Sequence, residues 1–131
     1  MFKFIFFTFL IFTFVPLTNA QQSCSSDQQN AIKTCYLQYL KIFGFNVIPI
    51  FNQYEAAVDK YYVHGWNGAL YVCNAGNQLI SCIGAANDGC VTVDVFRNIS
   101  GLNDINSKQY VADYRETQYR CSGNGFTGNF F

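Results

Sequence analysis

Cys24, Cys35, Cys73, Cys82, Cys90 and Cys121 could ligate metal, exchange electrons or cross-link the chain, and their spacing decides among these roles. Thiolate metal sites draw on closely spaced pairs or on a cysteine–histidine cluster. Here the intervening gaps are 10, 37, 8, 7 and 30 residues with no C-x-x-C, so neither a metal site nor a dithiol redox centre is expected. An even number of cysteines in a short exported chain is the pattern of a disulfide framework. Three bridges are expected.

Other residues able to do chemistry are sparse. His64, the single histidine, sits in Y-Y-V-H-G-W-N-G beside the single tryptophan, Trp66, and is the natural place to look for a general base. A structural role explains both without catalysis. An imidazolium favours the negative end of a helix, and Trp66 is a large hydrophobe able to close one end of a core. A secreted phospholipase would need His and Asp adjacent on a helix and a glycine-rich calcium loop, whereas His64 is followed by Gly65. The eight carboxylates are spread along the chain without the motif of a paired acid site and read as solvated helix faces. No G-x-S-x-G, Walker, EF-hand or H-E-x-x-H signature occurs, which points away from an enzyme and from any cofactor. Asn98-Ile99-Ser100 is the one N-glycosylation acceptor, and a glycan there would require its face of the element to be exposed.

The N-terminal M-F-K-F-I-F-F-T-F-L-I-F-T-F-V-P-L-T-N-A joins one early cation, Lys3, to an apolar run from Phe4 to Val15. That is the pattern of a secretory signal peptide over 1–20, with cleavage after Ala20, and the run is too short to span a bilayer comfortably. Seven of the fourteen phenylalanines leave with it, and what remains carries seven cations against eight acids, a formal charge of −1. No basic field exists to draw the chain to nucleic acid or anionic lipid. No second apolar span follows, so stable membrane insertion is not expected and the product is expected outside the cell. Residues 21–121 form one cysteine-rich domain whose core alone would give modest stability, and 122–131, S-G-N-G-F-T-G-N-F-F, read as a flexible tail.

Periodicity supplies the elements that must hold the cysteines. Between 24 and 44 the residues Ile32, Cys35, Tyr36, Tyr39, Leu40 and Phe43 recur at helical spacing, with Ser25 and Gln28 as a capping box and Gly44 as a stop. A second helix begins at Pro49 and runs through Phe51, Tyr54, Val58, Tyr61 and Tyr62. From 67 to 83 the apolar set, Leu70 and Cys82 included, covers most of the circumference, which describes a central helix. Its Cys73 and Cys82 point to nearly opposite faces and can be stapled to two neighbours, while Gly76 marks a close crossing. G-A-A-N-D-G reads as a loop. V-T-V-D-V-F alternates like a strand but also fits a helix through Val91, Val95, Ile99 and Leu102, and with no second strand to pair with, helix is preferred. A last helix over 104–121 carries Tyr110, Val111, Tyr114, Gln118 and Cys121 on one face and a Glu116–Arg120 pair outside. The fold class is all-α, four to five helices in a small disulfide-stapled bundle. Along one helix Cys24 and Cys35 stand roughly 16 Å apart and Cys73 and Cys82 roughly 13 Å, beyond the ~7 Å reach of a disulfide. Those two exclusions leave several of the fifteen connectivities open.

Nine tyrosines with Phe51, Trp66 and Phe96 are more aromatic mass than a minimal core needs. They fill the core with hydroxyls at its rim, or they line a groove for an apolar small molecule. C-S-S-D-Q-Q-N-A-I-K-T-C-Y at 24–36, L-I-S-C at 79–82, Cys90, Phe96 and Y-V-A-D-Y-R-E-T-Q-Y-R-C at 110–121 together resemble a nematode-expanded family of small secreted six-cysteine domains of unknown function. The resemblance spans nearly all of 21–121 except 41–72, implies an exported helical domain with three disulfides, and brings no active site. The expected function is therefore a secreted, non-enzymatic binding or interaction module for an extracellular protein. The alternative is a carrier of a lipid or other small apolar ligand.

Overall fold

The computed structural model describes residues 23–122. The expected signal peptide over 1–20 lies outside the described residues, as does the expected tail apart from Ser122. Within them the chain forms five helices and no strand: α1 (Ser26–Ile42), α2 (Phe51–Tyr62), α3 (Trp66–Asp88), α4 (Val93–Ser100) and α5 (Asp104–Arg120). The all-α, disulfide-stapled class read from periodicity is the class observed.

Helix α1 starts where its sequence dictates. Ser25 Oγ accepts from the Gln28 amide at 3.2 Å while Gln28 Oε1 accepts from the Ser25 amide at 3.0 Å, the reciprocal capping box. Its apolar stripe of Ile32, Cys35, Tyr36, Tyr39 and Leu40 is buried, each large side chain contributing roughly 2 kcal/mol. The second helix begins two residues later than Pro49. Ile50 offers no side-chain cap, so the first-turn amide of Phe51 donates instead to Asn106 Oδ1 of α5 at 2.7 Å, and Pro49 contributes its carbonyl to the Tyr110 hydroxyl at 2.9 Å.

Helix α3 is the central element, packing against α1, α2 and α5. At its crossing with α5 a Cβ on Gly76 would run into Thr117 Cγ2, which is why the helix carries a glycine there despite a propensity cost of about 1 kcal/mol. The G-A-A-N-D-G segment is not a loop: Gly84, at φ 67° and ψ 164°, breaks the helix once, and the chain resumes helical turns to Asp88. Leu70, expected on the buried circumference, is instead exposed.

The V-T-V-D-V-F segment is helical from Val93 onward. Thr92 Oγ1 caps it by accepting from the Val95 amide, and Val95, Phe96 and Ile99 are buried on one side. On α5 the buried face is Ser107, Tyr110, Tyr114 and Thr117 rather than one running through Val111 and Gln118, both of which are half-buried on its flank.

Three disulfides tie this arrangement together: Cys24–Cys90, Cys35–Cys82 and Cys73–Cys121. Cys82 and Cys73 leave opposite faces of α3, one bonding to α1 and the other to the end of α5. The bridges close loops of 66, 47 and 48 residues. In the chain-entropy model each contributes about 4 kcal/mol. Such bridges persist in an oxidising compartment.

Candidate functional site

The side of the bundle where α2 and α5 lie together is not closed. The two helices leave a groove of about 330 Å³ whose floor is apolar, formed by Phe51, Val58 and Val72. Its walls are not apolar. Glu55 and Asp59 stand one turn apart on α2, Asp113 and Glu116 one turn apart on α5, and Arg120 closes one end. Four of the eight carboxylates of the chain therefore converge on one concavity, although in sequence they lie in two segments almost sixty residues apart.

The electrostatics are uneven. Arg120 is held by Tyr62, whose hydroxyl accepts from Nη1 at 2.9 Å, and reaches Glu116 at 3.6 Å. Among the described residues no cation lies in ion-pair contact with Glu55, Asp59 or Asp113. Asp113 accepts a hydrogen bond from the Tyr54 hydroxyl at 2.9 Å, and Tyr54 shares a second, 2.7 Å bond with Tyr39. This chain runs from the carboxylate into the core. Burial pushes the Asp113 carboxyl up from 3.8 to about 6, with Glu116 and Glu55 adding to the rise and the Tyr54 bond and Arg120 opposing it. Burial, and then the Asp113 charge, likewise hold the Tyr39 and Tyr54 phenols well above their ordinary range, so both stay neutral donors.

The core behind the groove is filled. Tyr36 meets Phe96 edge-on at 4.8 Å, Phe96 stacks on Tyr110 at 4.7 Å, and Phe51 meets Tyr110 at 5.2 Å. The tyrosine hydroxyls do not all sit at the rim. Tyr110 bonds to Pro49 inside the core, Tyr114 donates to Asp88, and the hydroxyl of Tyr36, itself 1% exposed, has no partner among the described residues. A second depression of about 670 Å³ over Asn74, Asn77, Gln78, Ser81 and Cys82 is a shallow, mostly open face of α3 rather than a groove.

The residues that the sequence singles out lie elsewhere. His64 is exposed in the turn between α2 and α3 and is not among the residues that line the groove. Trp66 does not close the core: it is 46% exposed at the start of α3, and Val63 before that helix and Leu70 and Tyr71 one turn into it are also exposed. Asn98 is exposed on α4, the face a glycan needs. Reading the acids as separate solvated faces missed the groove. The signal was present as two one-turn acid pairs, each flanking a buried stripe on its helix. Asp88, by contrast, is structural. Burial works to raise its pKa, but bonds from Arg115, Tyr114 and Gln118 outweigh that and hold it below the usual range, pinning the end of α3 to α5.

Among the described residues no group of three or more His, Cys, Asp or Glu is gathered closely enough to hold a metal ion. No single helix among them is long and apolar enough to cross a membrane. No protein-family model, curated protein or solved structure matches the chain.

Proposed function

We propose that this chain is an exported, non-enzymatic binding module that holds a small molecule in the α2–α5 groove. The observation that carries the reading is the groove itself: a concavity of about 330 Å³, the size of a small-molecule site, with a narrow apolar floor beneath walls that are mostly polar and charged. Rigid support favours it too, since the Tyr39–Tyr54–Asp113 chain fixes one wall from within the core. Three disulfides fit an extracellular destination, and the cysteine order supports placing the chain with the nematode-expanded six-cysteine domains. A fatty-acid carrier is disfavoured, because four carboxylates repel an anionic head group and the interior is packed with rings.

Heteronuclear NMR of the oxidised protein with a fragment collection of mixed charge tests the reading. Saturable shifts confined to α2 and α5, abolished by Ala112→Trp, which fills the groove from an exposed position, are the expected result. Turnover of a glycoside or ester substrate that disappears in Glu116→Gln would refute the non-enzymatic assignment.

A further inference from the structure

We propose that the occupant of the α2–α5 groove is a small organic cation: a protonated amine or quaternary ammonium carried on an apolar, ring-sized body. The inference rests on the groove being a binding site and adds the class of ligand.

Three features select that class. The floor of Phe51, Val58 and Val72 is apolar but narrow, each side chain being largely buried already, and suits a small apolar body, which gains by leaving water. The walls ask for positive charge, because four carboxylates face one guanidinium, which bonds to Tyr62 and pairs with Glu116, and Glu55, Asp59 and Asp113 have no cation in contact among the described residues. The size asks for a small molecule, since about 330 Å³ is at the lower end of small-molecule pockets. A metal ion does not fit, as the carboxylates are spread along the walls instead of gathered round one point. An organic cation needs no such convergence. Its charge is diffuse, and it is satisfied by carboxylates at several ångströms.

The test compares three probes of one skeleton on the full oxidised chain by NMR titration at pH 7.5: phenethylamine, 2-phenylethanol and phenylacetate, with benzyltrimethylammonium as a permanently charged fourth. Both cations are expected to shift α2 and α5 resonances, with the alcohol about tenfold weaker or worse and the acid silent. Affinity should fall with added salt. Glu55→Gln with Asp59→Asn, both exposed changes, should weaken the cations about tenfold while leaving the alcohol unchanged. Ala112→Trp should abolish every interaction. If the alcohol binds in the groove as tightly as the amine, the charge inference is overturned while the groove remains a binding site. If lysine oligopeptides saturate the groove and the small amines do not, the small-molecule class is overturned. If no probe of any charge perturbs α2 or α5, both the cation and the groove assignment fail.

Discussion

Replacing Asp113 by asparagine should make the protein more stable at neutral pH, through proton linkage. In the folded chain burial holds the Asp113 carboxyl near 6, whereas unfolded it titrates near 3.8. Between those values only the native state binds the proton, so stability is fully present below about pH 4 and declines as pH rises to about 6. The gap corresponds to about 3 kcal/mol, at about 1.4 kcal/mol per pH unit. The substituted amide carries no charge and still accepts from the Tyr54 hydroxyl through its carbonyl. The pKa near 6 already includes the charge-assisted form of this bond, and below it the neutral carboxyl and the amide make bonds of similar strength. The variant should therefore gain about 3 kcal/mol at pH 7.5 and change little at pH 4. Urea midpoints of both proteins, disulfides intact, at half-unit steps from pH 4 to 7.5 measure this directly. The wild-type curve should fall across the window and the variant curve should be flatter. If Asp113→Asn destabilises the protein at pH 7.5, or keeps the wild-type slope between pH 4 and 6, the carboxylate is not a buried, uncompensated group.

Gly76→Ala should cost about 1–3 kcal/mol despite the better helix propensity of alanine, and Thr117→Ser, which deletes the obstructing methyl, should restore most of it; additive losses in a double-mutant cycle would refute the close crossing. Tyr36→Phe, which removes a buried hydroxyl without a partner among the described residues, should raise stability by about 1 kcal/mol, whereas Tyr114→Phe should lower it by a similar amount through the lost bond to Asp88. Under limiting reductant, mass mapping of alkylated cysteines should find Cys35–Cys82 opened first, because Cys82 is exposed while Cys73, Cys90 and Cys121 are buried. Replacing Cys73 and Cys121 together by alanine should cost about 4 kcal/mol, read as a shift in the urea midpoint.

What could be read from the sequence was whatever local pattern alone determines. The Ser25–Gln28 cap, the stripe from Ile32 to Leu40 and the two-faced placement of Cys73 and Cys82 are each encoded within a few turns of one helix. Leu70 and Trp66 were misread because hydrophobicity gives a preference for burial, but the number of neighbours a helix has at each level decides whether a site for burial exists. Trp66, Leu70 and Tyr71 stay partly exposed on α3, Tyr71 with one face stacked on Tyr61 at 4.7 Å, so large apolar residues remain outside the core. G-A-A-N-D-G was misread for a different reason. One glycine with positive φ suffices to redirect a helix, and the residues after it re-enter helical geometry. The groove was the least legible feature, since its acids share a surface only through the pairing of two helices distant in sequence, a relation that neither helix records.

The pairing also explains how the fold sustains a charge where charge is costly. Asp113 stands against the aromatic core with no cation in contact among the described residues, at a cost of about 3 kcal/mol above pH 6. Two nearby residues could have removed that cost. Both only reduce it: Arg120, two turns along the same helix, makes its contacts with Tyr62 and Glu116 and acts on Asp113 only from a distance, and Tyr54 supplies one hydrogen bond and no charge. A domain of this size, left to its core, has little stability to spare, but each of its three disulfides offsets more than the carboxylate costs. The bridges thus permit an uncompensated wall on the groove, and a cation entering from solvent would supply the missing partner. On this view cross-linking and binding are one design. Ligand affinity should survive loss of a bridge as long as the bundle stays folded, while loss of the Asp113 charge should stabilise the bundle and weaken its hold on the amine.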